Sequence, residues 1–454
     1  MGGKQQKIQN ELAFMSDARV KPEAQPDGGT ELPTAGSKPE SQKGNERLME
    51  VMLERENLWA ALERVESNKG AAGVDGMSVT ELRKHLKHHW PELREQLLSG
   101  NYKPQPVRRV EIPKPGGGMR KLSIPTVVDR LIQQAIMQVL QAEWDATFSE
   151  HSYGFRPNRT AHQAVAEAEE YINAGYAVVV DIDLEKFFDR VNHDVLMSRV
   201  ARRVSDKRVL KLIRAYLTSG VLENGLVSPS DEGTPQGGPL SPLLSNLLLD
   251  DLDRELERRG HRFVRYADDC NIYVRTERAG ERVMSGIKRF LEKKLRLKVN
   301  EQKSAVGKPS QRKFLGFSFT TKARVRRKIS PQSLARFKAR VREITRRGRA
   351  LGAVMTELNR YLRGWLGYYR HTGCPSQLVQ LDGWIRRRLR RYIWRAWQRP
   401  RRRYRIMRAH GVEPRHAWRV VHFGPWRASR SMAVGRVLSN AYFTRLGLYC
   451  LSVA

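Results

Sequence analysis

Two adjacent aspartates are the residues in this sequence best suited to hold a metal ion. Asp268 and Asp269 stand between two apolar runs rich in aromatic and β-branched residues, a pattern that predicts two strands joined by a tight turn. Aspartate tolerates turn conformations, so both carboxylates can be exposed at the tip. Neighbouring like charges are costly unless a cation shares them, and Mg²⁺ prefers such oxygen ligands. The alternative is an ordinary exposed hairpin turn, where Asp-Asp pairs are common.

A second acidic segment follows the apolar run Ala177–Val180, which predicts a buried strand. Asp181 and Asp183 stand where that strand ends, and a carboxylate in this position is held rigidly, as a metal ligand requires. One such aspartate and the two turn aspartates would complete the three carboxylates of a two-metal site, with ions ~3.5–4 Å apart, that transfers phosphoryl groups. Spacing does not decide between Asp181 and Asp183, and a helix-capping aspartate is the alternative.

The surrounding pattern predicts the elements that must position these carboxylates. Helical periodicity covers 45–62, 79–98 and 127–148, and the apolar runs over 107–124 predict a hairpin with a glycine-rich tip. Strands alternate with helices to about residue 321, which indicates an α/β or α+β body. Residues 1–43 are rich in Gly, Pro, Gln and Ser, and they predict a disordered leader.

Charge and composition limit the class of protein. The 83 Lys and Arg residues against 48 Asp and Glu give a net charge of +35, which points to a polyanionic partner, either nucleic acid or an anionic membrane. No apolar run approaches the ~18 residues that a membrane span needs, and the N-terminus lacks a secretory signal. Cys270, Cys374 and Cys450 are too few and too far apart for a disulfide framework or a cysteine zinc site.

The second half of the chain is the most basic. Residues 322–349 contain twelve basic residues and one acid, and residues 384–408 contain twelve arginines and no acid, interleaved with Trp and Tyr. Arginines can neutralise phosphates while the rings stack on bases. A membrane-surface helix and simple core aromatics are the alternatives. The residues predicted to bind RNA are Arg386, Arg387, Arg390, Arg391 and Trp394.

Seven segments, in this order, resemble the motifs of the group II intron reverse transcriptase/maturases. They are Arg120-Lys-Leu-Ser-Ile-Pro-Thr126, Ser152-Tyr-Gly-Phe-Arg-Pro157, Asp183-Leu-Glu-Lys-Phe-Phe-Asp189, Thr234-Pro-Gln-Gly-Gly-Pro-Leu-Ser-Pro242, Tyr266-Ala-Asp-Asp269, Asn300-Glu-Gln-Lys303 and Phe314-Leu-Gly-Phe317. Alignment on the Phe-Phe-Asp end of the third segment selects Asp183 and leaves Asp181 a bystander. Segments near Arg363 and Trp426 resemble the maturase part of such chains.

The resemblance implies an α+β right-hand polymerase. Fingers and palm with an antiparallel sheet would cover 44–321, a basic helical thumb/maturase domain 322–420, and a short tail 421–454, for which DNA binding is one option. Asp183, Asp268 and Asp269 would bind two Mg²⁺ ions and catalyse RNA-directed DNA synthesis. The tail holds a single cysteine and no clustered metal ligands, so we expect no intrinsic endonuclease activity.

Six further residues are predicted to bind the incoming nucleotide: Lys114, Arg120, Phe188, Gln236, Gly237 and Lys303. Lys114 and Arg120 would neutralise the triphosphate, and the glycine would let the backbone approach a template or incoming base closely. By resemblance, Lys303 contacts the active-site region. By family analogy the aromatic ring packs under the sugar and excludes a 2′-hydroxyl, with the adjacent Phe187 as its substitute. Surface lysines, core aromatics and an ordinary loop are the alternatives.

The implied partners are the parent intron RNA, target DNA and deoxynucleoside triphosphates, with no membrane and with a homodimer left open. The protein would promote splicing and mobility of its intron in the cytoplasm, associated with the nucleoid. A CRISPR- or defence-associated reverse transcriptase is one competing interpretation. A splicing-only RNA-binding maturase is the other, although the presence of all three carboxylates speaks against it.

Overall fold

The computed structural model describes residues 45–113, 118–223, 226–228, 232–321, 324–346 and 348–453. The leader predicted for residues 1–43 and the predicted nucleotide ligand Lys114 lie outside these described residues. Strands and helices alternate along the described chain as far as Ile329, and only helices follow. The protein is therefore an α+β structure with a helical C-terminal region, as the sequence predicted.

The helices are α1 (Leu48–Met52), α2 (Arg55–Ser67), α3 (Leu82–Leu98), α4 (Val127–Trp144), α5 (Ala161–Asn173), α6 (His193–Val200), α7 (Lys207–Thr218), α8 (Ser241–Arg258), α9 (Glu277–Phe290), α10 (Pro331–Ile344), α11 (Leu351–Tyr369), α12 (Pro375–Ala396), α13 (Pro400–Ala409), α14 (Pro414–Val421), α15 (Pro425–Ala428), α16 (Met432–Val437) and α17 (Asn440–Arg445). The strands are β1 (Val107–Pro113), β2 (Met119–Ile124), β3 (Val178–Asp183), β4 (Val221–Glu223), β5 (Leu226–Ser228), β6 (Arg262–Tyr266), β7 (Asp269–Val274), β8 (Ala305–Gly307), β9 (Phe317–Phe319) and β10 (Arg327–Ile329). Short 3₁₀ turns occupy Asn45–Arg47, Val79–Glu81, Asp145–Thr147 and Phe187–Asp189, and a π-turn occupies Leu291–Leu295.

The chain forms two compact units that are not contiguous in sequence. The first takes the chain up to Thr160, Val180–Ile272 and Arg278–Val306, and the second takes Ala161–Val179, Tyr273–Glu277 and the chain from Gly307 onward. This division differs from the predicted boundaries. The second unit begins before residue 322, it recruits α5 from the middle of the predicted polymerase region, and it includes the predicted tail.

One sheet of the first unit carries the predicted hairpin, in the strand order β2-β1-β4-β5. β1 and β2 are antiparallel, with Arg108 opposite Ile124 and Pro113 opposite Met119, which confirms the hairpin predicted over 107–124. β4 runs parallel to β1. Both hairpin strands become exposed toward their shared turn, so Arg120 lies in solvent.

A second sheet, in the order β6-β7-β3-β8, holds the acidic segments. Val178, Val179 and Val180 are all buried, which is typical of a strand covered on both faces. α8 lies beside β6, and all seven of its leucines are buried. The sheet therefore provides a rigid base for the side chains at its strand ends.

Helices of the second unit bury stripes of apolar residues, and the strands β9 and β10 form an antiparallel pair. In α12 the buried apolar residues recur every three or four positions, which places them on one face of the helix. α5 belongs here because the His162 ring nitrogen lies 2.6 Å from the Tyr368 carbonyl oxygen, and Glu169 forms a 3.3 Å ion pair with Arg327. In the part of the chain that the structure describes, no helix is both long and apolar enough to cross a bilayer.

Candidate active site

Asp183 is fixed at the end of β3 by hydrogen bonds on both sides of its backbone. Its N–H donates to the Ser304 hydroxyl at 2.9 Å, and its carbonyl oxygen accepts from the Asn300 N–H at 2.8 Å. Asp181 and Asp183 are both half-buried and flank the fully buried Ile182, so the two carboxylates lie on the same face of the strand. Strand geometry alone therefore leaves both aspartates as candidates.

The turn between β6 and β7 consists of Ala267 and Asp268, and Asp269 begins β7. Ala267 has a φ of +58°, a left-handed conformation that is uncommon for alanine and costs free energy. β7 is the neighbour of β3 in the sheet, so the turn and the strand-end aspartates lie on adjacent strands. The predicted hairpin with aspartates at its tip is confirmed.

Both strand-end aspartates interact electrostatically with residues of the β6–β7 hairpin. Burial raises the pKa of Asp268, and the Asp183 carboxylate acts in the same direction, whereas Arg120 and Lys303 oppose the increase. Burial also raises the pKa of the Cys270 thiol, and among the carboxylates that add to this increase are Asp269 and Asp181. The Asp183 charge therefore acts on the turn aspartate Asp268, and the Asp181 charge acts on Cys270 in β7.

Two of the predicted nucleotide ligands lie at this pair of carboxylates. The Lys303 ammonium lies 3.3 and 3.4 Å from the two Asp183 carboxylate oxygens, and more than half of the lysine side chain is exposed. Arg120 is exposed and near enough to lower the pKa of Asp268. Negative charge brought into this region, such as a polyphosphate, would meet cations from two different elements.

The donor set at this site fits a hard divalent cation. Asp183 and Asp268 offer carboxylate oxygens, the ligand type that Mg²⁺ prefers, and their mutual repulsion would be relieved by a shared cation. Among the residues that the structure describes, no group of three or more His, Cys, Asp or Glu side chains is arranged to hold an ion. The Asp183 charge raises the pKa of Asp268, and the place of Asp269 in a three-carboxylate set stays a prediction.

The loop before α8 packs against the protein backbone rather than standing open. A Cβ on Gly237, where φ is +133°, would lie 2.6 Å from the Ser123 carbonyl oxygen of β2. The Gln236 carbonyl oxygen accepts a hydrogen bond from the Ser123 N–H at 2.8 Å, and its side-chain amide donates to Asp189 at 3.3 Å. The fold itself therefore requires glycine at 237, and the role of Gln236 and Gly237 in nucleotide binding stays a prediction.

The two adjacent phenylalanines have different environments. Phe187 is buried, with only 2% of its surface exposed, whereas Phe188 is half-buried. Phe188 lines a cavity of about 60 Å³ together with Ser123, Asp189 and Thr234. Phe187 is therefore a core residue, whereas part of the Phe188 ring stays accessible, and the role of Phe188 in nucleotide binding stays a prediction.

The predicted RNA-binding residues on α12 do not share one environment. Arg387 is exposed, Arg386 and Arg391 are half-buried, and Arg390 donates to the Leu438 carbonyl oxygen at 2.9 Å. Trp394 is fully buried, and its indole N–H donates to the Phe423 carbonyl oxygen at 3.0 Å. Its ring cannot stack on a base, so the prediction that Trp394 binds RNA is corrected. It is a core residue.

The exposed aromatic rings of the second unit lie further along the chain. Trp418 and Trp426 expose 63% and 55% of their surfaces. The Arg430 guanidinium lies 4.0 Å from the centre of the Trp426 ring, and Arg427 lies 4.1 Å from that of Phe423. The sequence pattern alone did not single out these rings. Two features of the sequence could have indicated them. Short helices that begin with proline lie in this region, and each ring has an arginine one to four residues away.

Two family models match the chain. The model described as reverse transcriptase (RNA-dependent DNA polymerase) matches residues 112–319, and the group II intron maturase-specific domain matches residues 334–411. The protein YkfC of Escherichia coli (strain K12) is 40% identical over 220 residues, covering 47% of this chain and 58% of that protein. The group II intron-encoded protein LtrA of Lactococcus lactis subsp. cremoris is 29% identical over 354 residues, covering 62% of this chain and 57% of that protein.

The chain thus spans somewhat more than half the length of these two relatives. Among solved structures, a partial Cas6-RT-Cas1--Cas2 complex is 23% identical with a TM-score of 0.36, covering 54% of this chain and 42% of that chain. A likeness of this size carries no argument about fold or function.

Proposed function

This chain belongs to the group II intron-encoded reverse transcriptase/maturase family, and we propose that it synthesises DNA on an RNA template. The 3′-hydroxyl oxygen of a primer attacks the α-phosphorus of a deoxynucleoside triphosphate in line. A new O–P bond forms, the bond from the α-phosphorus to the bridging oxygen breaks, pyrophosphate leaves, and the hydroxyl proton passes to solvent. Positioning and charge stabilisation carry such a reaction, since no covalent intermediate with the protein is needed.

Asp183 and Asp268 are the residues that would hold Mg²⁺, with Asp269 in support. Reverse transcriptases generally depend on divalent metal ions, and the two interacting carboxylates supply the oxygen donors that such ions prefer. When bound, the ions would supply Lewis-acid activation of the attacking hydroxyl and charge to steady the leaving group. The backbone hydrogen bonds at Asp183 would keep its carboxylate in place each time the primer is extended by one nucleotide.

The surrounding residues would receive the nucleotide. Lys303 and Arg120 supply positive charge beside the carboxylates, and Lys114, which lies outside the described residues, would add to it. The half-buried face of Phe188 would contact the sugar and exclude a 2′-hydroxyl, because a ring fixed in a cavity wall cannot yield to an added oxygen. Gln236 and Gly237 would border the same nucleotide through the loop that packs on β2.

The basic helices of the second unit would bind the parent intron RNA and assist its splicing. The maturase-specific match over 334–411 supports an intron-encoded enzyme over the CRISPR-associated alternative. Arg386, Arg387, Arg390 and Arg391 would supply phosphate contacts, and the exposed rings of Trp418 and Trp426 would supply stacking surfaces. Target DNA would be a further partner during mobility of the intron, a homodimer stays open, and we expect the protein to act in the cytoplasm at the nucleoid.

The observation that carries this proposal is the placement of Asp183 at the end of β3 and of Asp268 in the turn before the adjacent strand β7, where the charge of Asp183 raises the pKa of Asp268. Primer extension on an RNA template with deoxynucleotides and Mg²⁺ tests it, comparing the parent chain with Asp268→Ala. We expect the variant to lose activity by about 10³-fold, since it lacks a proposed ligand of the metal ions that would stabilise the transition-state charge. Asp181→Ala is the matched control on the same strand face and should retain activity. Equal activity of the parent and Asp268→Ala would remove the catalytic proposal.

A further inference from the structure

A fully buried arginine lies directly behind the turn that carries Asp268. Arg265 precedes that turn on β6, and its side chain has no exposed surface. Its Nη1 group donates to the carbonyl oxygen of Ala267 at 2.9 Å. Ala267 is the turn residue with the left-handed φ of +58°, so this hydrogen bond stabilises the strained peptide that orients the next residue.

The orientation of that guanidinium is itself fixed by an ion pair. The Nε and Nη2 groups of Arg265 donate to the two carboxylate oxygens of Asp253 at 2.7 and 2.6 Å, and Asp253 is also completely buried. A carboxylate that accepts two parallel N–H bonds holds the planar guanidinium in one direction. Asp253 lies on α8, so the ion pair attaches the turn to a long, well-packed helix as well as to the two strands of the hairpin.

A second residue of α8 connects Arg265 to the backbone at Gly154. Asn246, two helical turns before Asp253, accepts from Arg265 at 3.0 Å and donates to the Gly154 carbonyl oxygen at 2.9 Å. A Cβ on Gly154 would lie 2.2 Å from the backbone nitrogen of Ala267, so this segment crosses the turn in direct contact. The turn is thus held between α8, Arg265 and the backbone at Gly154.

We propose that Arg265 is a positioning residue for catalysis, which through its pair with Asp253 holds the Ala267–Asp268 turn so that Asp268 faces Asp183. This inference rests on the proposed polymerase function. A buried ion pair is weak support for stability as such, because well-packed apolar residues of similar volume often replace one without loss. Stability is therefore a weak explanation for this buried pair. The hydrogen bond from Arg265 to the turn gives a more specific one, because it fixes the geometry of the turn.

The key experiment separates positioning from stability with a double variant. Arg265→Met alone leaves the Asp253 charge buried and unpaired, so we expect the melting temperature and kcat both to fall. Arg265→Met with Asp253→Leu removes both charges, so the melting temperature should recover while the hydrogen bond to Ala267 stays absent. We expect kcat of the double variant to remain about 10–100-fold below the parent value, with the KM for the nucleotide changed less than about threefold.

A second readout does not depend on turnover. Mn²⁺ binding to the free protein, measured by electron paramagnetic resonance, should weaken about tenfold or more in the double variant, because residues that orient a metal ligand affect metal affinity as well as rate. If the parent chain binds Mn²⁺ but does not extend primers, the polymerase proposal fails while the positioning inference is still measured. Parent-like kcat and Mn²⁺ affinity in a folded double variant would overturn the inference.

Two further variants complete the design. Asn246→Ala removes one partner of the guanidinium without leaving a charge unpaired, so a smaller loss of kcat and Mn²⁺ affinity is expected even if the double variant does not fold. Unchanged values in a folded Asn246→Ala would then contradict the inference. Arg208→Met is the control ion-pair variant, since Arg208 pairs with Asp206 and Glu50 elsewhere in the first unit. It should lower the melting temperature and leave kcat unchanged.

Discussion

The active-site turn and the arginine-rich helices of the second unit use charged side chains in opposite ways. At the turn a few charges each have fixed partners, as in the fully buried pair of Arg265 with Asp253. Across residues 384–408 twelve arginines occur without an acid, and the contacts that fix Arg390 and Arg403 are to backbone carbonyl oxygens. One region depends on the position of single atoms, whereas the other depends on the sum of its charge and on exposed rings.

The largest expected effect tests whether the aromatic residues of the basic region divide into core and surface. Trp394→Ala should lower the free energy of unfolding by about 3–5 kcal/mol, because it empties a fully buried site. Trp426→Ala should leave stability unchanged and weaken RNA binding by about 1–3 kcal/mol, the worth of one stacked base. Chemical denaturation and RNA titration measure the two quantities. A stable Trp394→Ala with weakened RNA binding would reverse the assignment.

The next effect concerns the summed charge of α12. Replacing Arg386, Arg387 and Arg391 together by Gln should weaken RNA binding by about 10²-fold at low salt. It should also make the slope of log affinity against log salt less negative by about 2, since three phosphate contacts to a single strand are lost. Filter binding across a salt series measures both. An unchanged slope would show that these side chains do not contact phosphates. As a control, primer extension by the triple variant on a short template should stay near the parent rate.

Backbone geometry at the active-site loop gives a smaller effect and sharpens the contrast. Gly237→Ala should destabilise the protein by about 2 kcal/mol, because φ is +133° and the added Cβ would meet the Ser123 carbonyl oxygen. Gly76→Ala is the matched control, since its φ is +72° but no atom lies within 4 Å of the added Cβ. Its cost should be about 1 kcal/mol, that of the left-handed backbone conformation alone. Equal melting temperatures for the two variants would rule out the close approach to β2 as the reason for glycine at 237.

The smallest effect concerns sugar selection. Phe188→Val should reduce the preference for deoxynucleotides over ribonucleotides by about tenfold, because the ring that lines the cavity is shortened. Phe187→Val should instead lower the melting temperature with the sugar preference retained, since that ring is buried. Single-nucleotide incorporation with each substrate gives the ratio. Loss of discrimination in Phe187→Val with none in Phe188→Val would exchange the two roles.

The sequence predicted the parts of the site that depend on local pattern. The turn at Asp268, the strand ending at Asp183 and the hairpin that carries Arg120 all follow from runs of residues that need no distant partner. Composition was the weaker guide: Trp394 directly follows Ile393, which continues the buried stripe of α12, yet the surrounding arginines suggested an RNA contact. Helical spacing would have predicted correctly that the Trp394 side chain is buried.

Contacts between residues on different elements could not be predicted from the sequence. Arg265 and Asp253 lie on different elements, and nothing local to either shows that the two meet in the interior. The same holds for α5, which lies between two polymerase motifs in the chain but packs within the second unit. The requirement for glycine at 237 also came from a contact with β2 that sequence spacing does not reveal.

The most direct test of the account is whether one ion is held by both acidic segments. Fe²⁺ substituted for Mg²⁺ generates hydroxyl radicals with ascorbate and peroxide, and these cleave the backbone beside the bound ion. We predict cuts near residue 183 and near residue 268, both suppressed by excess Mg²⁺ and both lost in Asp268→Ala. Cleavage at one segment without the other would contradict a shared site.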